Sequence, residues 1–376
     1  MNLNELITAS TKRVEEENHT CYWTADGYKF DSKTLVLWYE STTNSFVTYV
    51  DSQIDLIRDH LSNTSIDMSK DYNKEYLEYL KSKYNKIHLF FSGGADSLTI
   101  LETAINNNIV IDNLICQTCD DVNLECNREI KQCALPVLEK YKGKFGSYEI
   151  VPTSFDDHAN RYSDELSFFT EPMPAIVPFR GNLDGLPSYK LKTNACYIKG
   201  ADKPQIVRHG KKWYAVLIDV QTAGDWHDPN IKCFWLDQLN IKSYIKDALL
   251  YREYLLSADR VNQNDLQFFK PNIDPIFGDV LGRSKVHNHN MQFANKEIFN
   301  NKNVERISDI LKNNRLDILV NYFTAMKKFT ELVPEYGHND GFQALKSGGK
   351  FAWFIDIDSL EVFTQHQLIP NGFEGV

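Results

Sequence analysis

The feature that most constrains the fold is an alternation of short apolar segments with amphipathic ones between residues 86 and 151. Three apolar segments predict strands, at residues 87–91, 109–118 and 147–151. Two segments between them have helical spacing, at residues 96–106 and 124–141. Strands and helices that alternate in this way form a parallel sheet covered on both faces. We therefore predict an α/β fold.

Length and sequence texture divide the chain into three parts. A chain of 376 residues is long enough for two or three domains. We expect a small α+β unit at residues 1–85, the sheet domain at residues 86–235, and a mainly helical substrate or partner domain at residues 236–376.

More detailed expectations concern the outer parts of the chain. In the N-terminal unit we predict two strands of a hairpin at residues 33–39 and 45–50, and helices at residues 53–61 and 74–84. Farther along we predict strands at residues 211–219 and 349–356, and helices at residues 236–260 and 304–332.

The composition favours a cytoplasmic protein, in the host cytoplasm if the gene is viral. The net charge of −10 argues against a surface devoted to nucleic acid or anionic lipid, although a local basic patch leaves nucleic acid open as a partner. The first residues lack the apolar core of a signal peptide, and no later stretch is apolar enough to cross a membrane. Seven cysteines, an odd number, fit reduced thiols in a reducing compartment.

A glycine-containing string joins the first predicted strand to the first predicted helix, and its residues are Ser92, Gly93, Gly94, Ala95, Asp96 and Ser97. The glycine pair permits positive φ and removes side chains, so that successive N–H groups can face a phosphate. The helix start adds unpaired N–H groups and the positive end of its dipole. We expect both serine hydroxyls to bond phosphate oxygens and Asp96 to bind magnesium. The alternative is a plain turn in which Asp96 or Ser97 caps the helix, but the surrounding strand and helix favour the phosphate site.

This string resembles the Ser-Gly-Gly-x-Asp-Ser signature of the PP-loop ATP pyrophosphatases, also called adenine nucleotide α-hydrolases. The resemblance covers residues 86–220 and is closest to uncharacterised PP-loop proteins of large tailed phages. It implies a Rossmann-like parallel sheet of the PP-loop (HUP) type, ATP with Mg²⁺ as the bound species, and release of pyrophosphate. The chain has no Gly-x-x-x-x-Gly-Lys-Ser/Thr string, which disfavours a Walker-type NTPase.

A second segment, residues 197–204, resembles the Gly-x-Asp-Glu segment of the asparagine-synthetase-like branch of this family. That segment supplies another magnesium-binding aspartate, so the resemblance assigns Asp202 to the metal together with Asp96. Lys203 departs from the acidic residue of those enzymes, and with Lys199 it is expected to neutralise the leaving pyrophosphate. The resemblance thus implies Asp96, Asp202 and Lys203 as catalytic residues. The alternative is a turn with solvated lysines.

Other residues complete the expected site. In this architecture adenine lies against the ends of the first two strands, near Phe91, Gln117 and Thr118. Arg180 follows a proline-bearing run and is a candidate for closing over phosphate or a substrate carboxylate, although a lone loop arginine is more often at the surface. Arg283 and Lys285 are candidate substrate-binding cations, with an exposed basic loop as the more common alternative.

Four cysteines lie close together in the sequence, at positions 116, 119, 126 and 133. Some tRNA-thiolating relatives in the family use such clusters for metal or sulfur chemistry. Cys116 lies in an apolar strand, however, and Cys126 and Cys133 are spaced along a predicted helix. We favour small core residues over a metal or sulfur-transfer site.

The leading functional hypothesis is an ATP-dependent, AMP- and pyrophosphate-forming enzyme of the ligase or amidotransferase kind. It would adenylate a carbonyl or carboxylate of a small molecule or nucleobase for attack by an amine, ammonia or a sulfur nucleophile. Position 2 is not cysteine and too little chain precedes Ser92 for a glutaminase domain, so nitrogen is expected to come as free ammonia, as an amine or from an ammonia-donating partner. A homo-oligomer is left open. The alternatives are a tRNA or nucleobase thiolation enzyme and a non-catalytic nucleotide-binding module.

Overall fold

A computed structural model of the chain describes residues 2–19, 21–62, 64–119, 123–124, 127–154, 156, 169, 194–200, 205–218, 230–262, 266–269, 307–333 and 352–368. Within these residues the strands form three sheets, one of three strands and two of five. None of the helices in the described part has the length and apolar character needed to span a bilayer.

The N-terminal unit is a small antiparallel sheet covered by helices. Its elements are α1 (Leu3–Glu16), β1 (Cys21–Ala25), β2 (Tyr28–Phe30), α2 (Lys33–Thr43) and β3 (Thr48–Asp51). The strand order is β2-β1-β3, and both pairings are antiparallel. Two helices follow, α3 (Ser52–Leu61) and α4 (Tyr72–Lys83), which confirms the helices predicted at residues 53–61 and 74–84.

The predicted strand at residues 33–39 is wrong, because these residues begin α2. The Ser32 side chain accepts a hydrogen bond from the Leu35 N–H at 3.4 Å and caps the helix, and Asn44 ends it in the left-handed region. A buried run such as residues 35–37 has no visible period, so it resembles a strand in sequence. The hairpin is instead β1–β2, and its turn residues Asp26 and Gly27 both have positive φ.

The central sheet is fully parallel, as predicted. Its strands are β4 (Lys86–Phe90), β5 (Asn113–Cys119), β6 (Ser147–Thr153), β7 (Ala195–Lys199) and β10 (Ile231–Cys233). The spatial order β10-β7-β4-β5-β6 corresponds to 5-4-1-2-3 in chain order, which is the Rossmann-like arrangement. Helix α5 (Ala95–Asn106) connects β4 to β5, as expected for residues 96–106.

The connection between β5 and β6 contains an unusual helical turn. A π-helix, Ile130–Ala134, continues directly into α6 (Leu135–Lys140). The described part of the predicted helix at residues 124–141 is therefore helical mainly from residue 128, with one wide turn. Such single π turns carry one residue more than the α-helical path requires.

The third sheet is antiparallel, with the order β11-β8-β9-β12-β13. Its strands are β8 (Gln205–His209), β9 (Lys212–Ile218), β11 (Leu266–Phe269), β12 (Ala352–Asp356) and β13 (Val362–Thr364). Strands β9 and β12 confirm the predictions at residues 211–219 and 349–356. Strands from both sides of residue 235 pair in this sheet, and the division of the chain at that residue stays a prediction.

Two long helices and a short one complete the described C-terminal part, α7 (Ile241–Ser257), α8 (Leu316–Leu332) and α9 (Gln365–Leu368). Helix α7 begins later than predicted, because residues before it turn and Asn240 donates its side-chain N–H to the Phe234 carbonyl at 2.8 Å. The predicted helix at residues 304–332 is interrupted: residues 307–312 are helical, and Asn314 then adopts a left-handed φ of 56°.

The largest core lies between one face of the parallel sheet and the helices α3 to α7, with residues such as Leu89, Leu101 and Tyr244. A second core fills the N-terminal unit and includes Trp23 and Phe30. Helix α8 completes that second core through buried residues such as Phe329. The C-terminal part of the chain therefore packs on the N-terminal unit.

Candidate functional site

The Ser92–Ser97 loop leaves the parallel sheet at the end of its middle strand. Strand β4 has β5 and then β6 on one side, and β7 and then β10 on the other. The chain therefore moves away from β4 in one direction first and in the other direction later. In open parallel sheets, the carboxyl end of the strand at this switch point is where ligands are usually bound.

Gly93 is fixed in place by close packing against the π turn. It is buried and has a φ of +74°, which L side chains rarely adopt. A Cβ at this position would lie 2.6 Å from the carbonyl carbon of Cys133 and 2.7 Å from the Cα of Ala134. The packing and the positive φ therefore require glycine at position 93 whether or not a ligand binds.

Gly94 is the N-cap of α5 and is more open than Gly93. A Cβ there would meet Ser92 Oγ, at 3.2 Å. The Gly94 N–H donates to Ser92 Oγ at 3.3 Å, and Ser97 Oγ donates to the Gly94 carbonyl at 3.2 Å. Among the described residues no side chain caps α5, so neither Asp96 nor Ser97 acts as the helix cap that a plain turn would require. An uncapped helix start of this kind presents its first N–H groups and positive dipole end to an anion.

Gly200 brings the second sequence segment against the loop. It follows β7, whose Lys199 pairs with Phe90 of β4. A Cβ at Gly200 would lie 3.0 Å from the Ser97 amide nitrogen and 3.2 Å from the Asp96 carbonyl carbon. The structure thus places residues 92–97 beside the start of the segment that carries Asp202.

Several predicted site residues lie outside the described part of the chain. They are Arg180, Asp202, Lys203, Arg283 and Lys285, as is Cys126. Lys199 and Asp96 are described, and both are partly buried. Ala95 is the first residue of α5.

The residues expected near adenine differ in their surroundings. Phe91 is buried in the main core, and its N–H donates to the Ile115 carbonyl at 2.8 Å. Gln117 donates its side-chain N–H to Thr153 Oγ1 at 2.7 Å. Thr118 is 3% exposed, and its hydroxyl has no hydrogen-bond partner among the described residues. Of the predicted adenine neighbours, Thr118 is therefore the one whose hydroxyl is not bonded to another described residue.

Asn127 was missed by sequence reasoning and organises the end of β5. Its side-chain oxygen accepts from the Cys119 N–H at 2.8 Å, and its side-chain N–H donates to the Cys119 carbonyl at 2.7 Å. Asn127 is itself buried. An asparagine eight residues beyond a strand gives no sequence signal for such a clamp.

The cysteines fit the prediction of core residues. Cys116, Cys119, Cys133 and Cys196 are buried and form no disulfide. Burial raises the pKa of the Cys116 and Cys196 thiols to about 12 in each case. Within the part of the chain that the structure describes, no group of three His, Cys, Asp or Glu side chains is placed to hold a metal ion.

Two clefts formed by described residues lie away from the loop. One, of about 220 Å³, lies at the amino ends of β4, β5 and β6. The other, of about 360 Å³, runs alongside α5.

Comparison of the chain with models of known protein families and with curated proteins found no match. What supports a phosphate site is thus the loop sequence together with three structural features: its position on β4, the uncapped start of α5, and the contact with Gly200.

Proposed function

We propose that this chain binds ATP through the Ser92–Ser97 loop and cleaves it between the α and β phosphates, forming an adenylate on an acceptor molecule. The observation that carries the proposal is the contact between the loop and Gly200 at the switch point of the sheet, beside a helix start that no side chain in the described part of the chain caps. We also propose that the parallel sheet belongs to the PP-loop (HUP) type of Rossmann-like fold.

Electrostatics at the loop favour a polyphosphate. The start of an α-helix carries roughly half a positive elementary charge and several N–H groups without an intrahelical partner. Lys199, on the strand next to β4, adds a cationic side chain close to this edge of the sheet. Together they would hold the β and γ phosphates while the α phosphate faces the acceptor.

Magnesium would enter as part of the MgATP substrate. Magnesium is commonly held by one or two carboxylates together with substrate phosphates, so a dedicated protein cage is not expected. Asp96, in the first turn of α5 and beside Gly200, fits as one carboxylate ligand. The resemblance assigns Asp202, two residues after Gly200, as the other. When bound, the ion supplies positive charge that offsets the charge of the phosphates.

The reaction then has two steps. An oxygen of the acceptor carbonyl or carboxylate attacks the α-phosphorus, the bond to the bridging α–β oxygen breaks, and pyrophosphate leaves. A nucleophile next attacks the activated carbon and AMP leaves with the bonding electrons. An amine or ammonia is favoured over a sulfur relay through Cys116 or Cys196, because thiols with a pKa of about 12 are almost fully protonated near neutral pH.

The test has a binding part and a turnover part. Isothermal titration with MgATP and with α,β-methylene-ATP should show saturable binding to the wild-type chain. The variants Ser92→Ala and Asp96→Asn, made separately, should each weaken this binding about tenfold or more. Asp55→Asn, at an exposed carboxylate on α3, is the matched control and should bind normally. Acceptor-dependent exchange of labelled pyrophosphate into ATP, screened over carboxylates, amides and nucleobases, then tests the chemistry.

Each outcome has a clear meaning. Binding that the two loop variants leave unchanged would refute the phosphate site. Loop-dependent binding without pyrophosphate exchange for any acceptor would favour the non-catalytic nucleotide-binding module. Exchange that requires a tRNA or nucleobase acceptor and a sulfur donor would favour the thiolation alternative.

A further inference from the structure

Helix α8 is apolar on two opposite sides over its first two turns. Ile318 and Tyr322 lie on the side that packs against the rest of the protein, and both are buried. Leu316, Val320 and Phe323 lie on the opposite side, at positions i, i+4 and i+7, and are 56%, 53% and 51% exposed. A surface helix normally turns polar side chains away from the core. These three residues, the outer stripe of α8, therefore form an unusual apolar surface.

The helical residues before α8 extend this surface. Ile307 and Leu311, one turn apart, are also exposed apolar residues. Their helix adjoins α8, because Ile310 and Ile318 share one core cluster. Five of the fourteen large apolar side chains that are exposed in the described part of the chain thus lie within residues 307–323. Single exposed apolar residues are normal, whereas a cluster of them marks an interaction site.

The size of this surface suits a second protein chain. Five apolar side chains that are about half exposed offer roughly 400 Å² of apolar area, which is the size of patch that often serves an interaction. Two such surfaces facing each other would bury about 800 Å² of apolar area and, at the usual apolar share of about 60%, about 1,300 Å² in total. This area lies at the lower end of the range of about 1,200–2,000 Å² for specific complexes. A dimer of modest affinity is therefore expected.

Charges beside the outer stripe favour a second copy of this chain in antiparallel orientation. Asp317, at the start of α8, and Lys327, ten residues later, both have exposed side chains. They lie on either side of the middle of the helix segment that the stripe occupies. When two copies of α8 are antiparallel, Asp317 of each copy therefore meets the partner's Lys327. A parallel pair would instead bring each charge next to the same charge of the partner, which is unfavourable.

Both charged groups keep bonding capacity beyond their contacts within the chain. Asp317 pairs with Arg315 at 3.1 Å, and a carboxylate has about four lone-pair sites, more than one guanidinium uses. Lys327 lies 3.8 Å from Glu331, which is too long for a hydrogen bond. Exposed pairs of this kind contribute little to the folded chain. A contact with the partner therefore does not require a stabilising pair to break.

We propose that the outer stripe of α8, with the exposed apolar residues before it, is the interface of a two-fold homodimer in which the two α8 helices pack antiparallel. Val320 of each copy packs against the partner's Phe323. Leu316 lies along the aliphatic part of the partner's Lys327 side chain. A two-fold interface uses the same surface on both chains, so association stops at two. The dimer depends on this surface alone and forms whether or not the loop binds ATP.

Sedimentation equilibrium of the full chain without nucleotide tests the dimer. The dissociation constant is expected in the range of about 1–100 µM. Val320→Lys and Phe323→Lys, made separately, each place an ammonium group against apolar side chains of the partner and should raise the constant about tenfold or more. Leu56→Lys is the matched control, because Leu56 is similarly exposed but lies on α3, and it should leave the constant unchanged. Urea unfolding shows whether each variant is folded.

Cross-linking tests the orientation. A mixture of Leu316→Cys and Lys327→Cys chains should form a disulfide-linked heterodimer on oxidation, because these positions face each other in the antiparallel pair. Leu316→Cys alone should not cross-link, because its two copies would lie eleven residues apart along the helices, about 16 Å. The described native cysteines are buried and should not react.

Three results would each overturn the proposal. The first is a wild-type chain that stays monomeric up to about 500 µM, or that associates beyond two chains. The second is a dimer whose dissociation constant Val320→Lys and Phe323→Lys leave unchanged, since a different surface would then hold it. The third is efficient cross-linking of Leu316→Cys alone, which would require parallel helices.

Discussion

Gly200 lies directly against the backbone of Ser97, so close that a Cβ on the glycine would stand 3.0 Å from the serine amide nitrogen. The contact joins the end of β7 to the first turn of α5, which lie more than a hundred residues apart in the chain. It is the point at which the two halves of the parallel sheet meet around the proposed phosphate site.

Substitution of Gly200 by alanine should disturb this contact. The neighbours of the new methyl group would be backbone atoms of Asp96 and Ser97, which cannot rotate away as a side chain would. We expect a loss of about 1–3 kcal/mol in the free energy of unfolding, typical of overpacking, together with weaker MgATP binding. Urea denaturation and titration calorimetry measure the two effects. An unchanged midpoint and unchanged affinity would show that the contact is loose in solution.

Substitution of Gly93 by alanine should be more severe. The methyl group would meet the backbone of Cys133 and Ala134, and the residue would also have to keep a φ of +74°. We expect a loss of more than about 3 kcal/mol, or a failure to fold. Gly143→Ala is the matched control, because Gly143 has a φ of +82° and no atom near its Cβ position. It should lose only about 1–2 kcal/mol, the cost of the left-handed backbone. Equal losses for the two variants would contradict the packing at the π turn.

The carboxylate of Asp112 should make stability depend on pH in the acid range. Burial alone would raise its pKa, but hydrogen bonds from Lys81 at 2.8 Å and from the Ile87 N–H at 2.9 Å hold it below the ordinary value of 3.8. A lowered pKa in the folded state means stabilisation that is complete above about pH 4 and is lost as the pH falls through the folded pKa.

The comparison of wild type with Asp112→Asn isolates this carboxylate. Their difference in unfolding free energy should be constant from neutral pH to about pH 5 and should shrink below about pH 4. Urea titrations across that range measure it. A difference that grows as the pH falls would mean that the pKa of Asp112 is raised in the folded chain.

The clamp between Asn127 and Cys119 should be important for stability. In Asn127→Ala, both peptide groups of Cys119 would lose their side-chain partner in a buried setting. An unsatisfied buried group costs about 1–3 kcal/mol, so thermal and urea unfolding should both show a clear loss. Asn106→Ala, at an exposed position, should stay within about 0.5 kcal/mol of wild type. Two indistinguishable variants would mean that water replaces the clamp.

The features that could be predicted from the sequence are those that depend on residues close together in the chain. The strand before Ser92 and the helix after it follow from hydrophobic spacing. A run buried on all sides defeats this reasoning, as residues 33–39 illustrate. For the hairpin at Asp26 and Gly27, the signal was present in the turn residues and was outweighed by the more apolar run that follows.

The features that could not be predicted depend on contacts between distant segments. The strand order places β7 beside β4 although more than a hundred residues separate them in the chain. The approach of Gly93 to the backbone of Ala134 depends on the path of a later helix. The sequence therefore predicted the position of the loop between a strand and a helix, while the contacts of the loop with other segments emerged only from the tertiary fold.

The π-helix has a consequence for how this chain tolerates insertions and deletions. The wide turn holds one residue more than an α-helical path requires, so removing one residue from Ile130–Ala134 would restore regular winding and remove the wide turn. The peptide group between Cys133 and Ala134, which packs against Gly93, would then shift, and the loop would lose this contact. Related chains that keep the glycine pair should accordingly keep the extra residue as well, and lose both together.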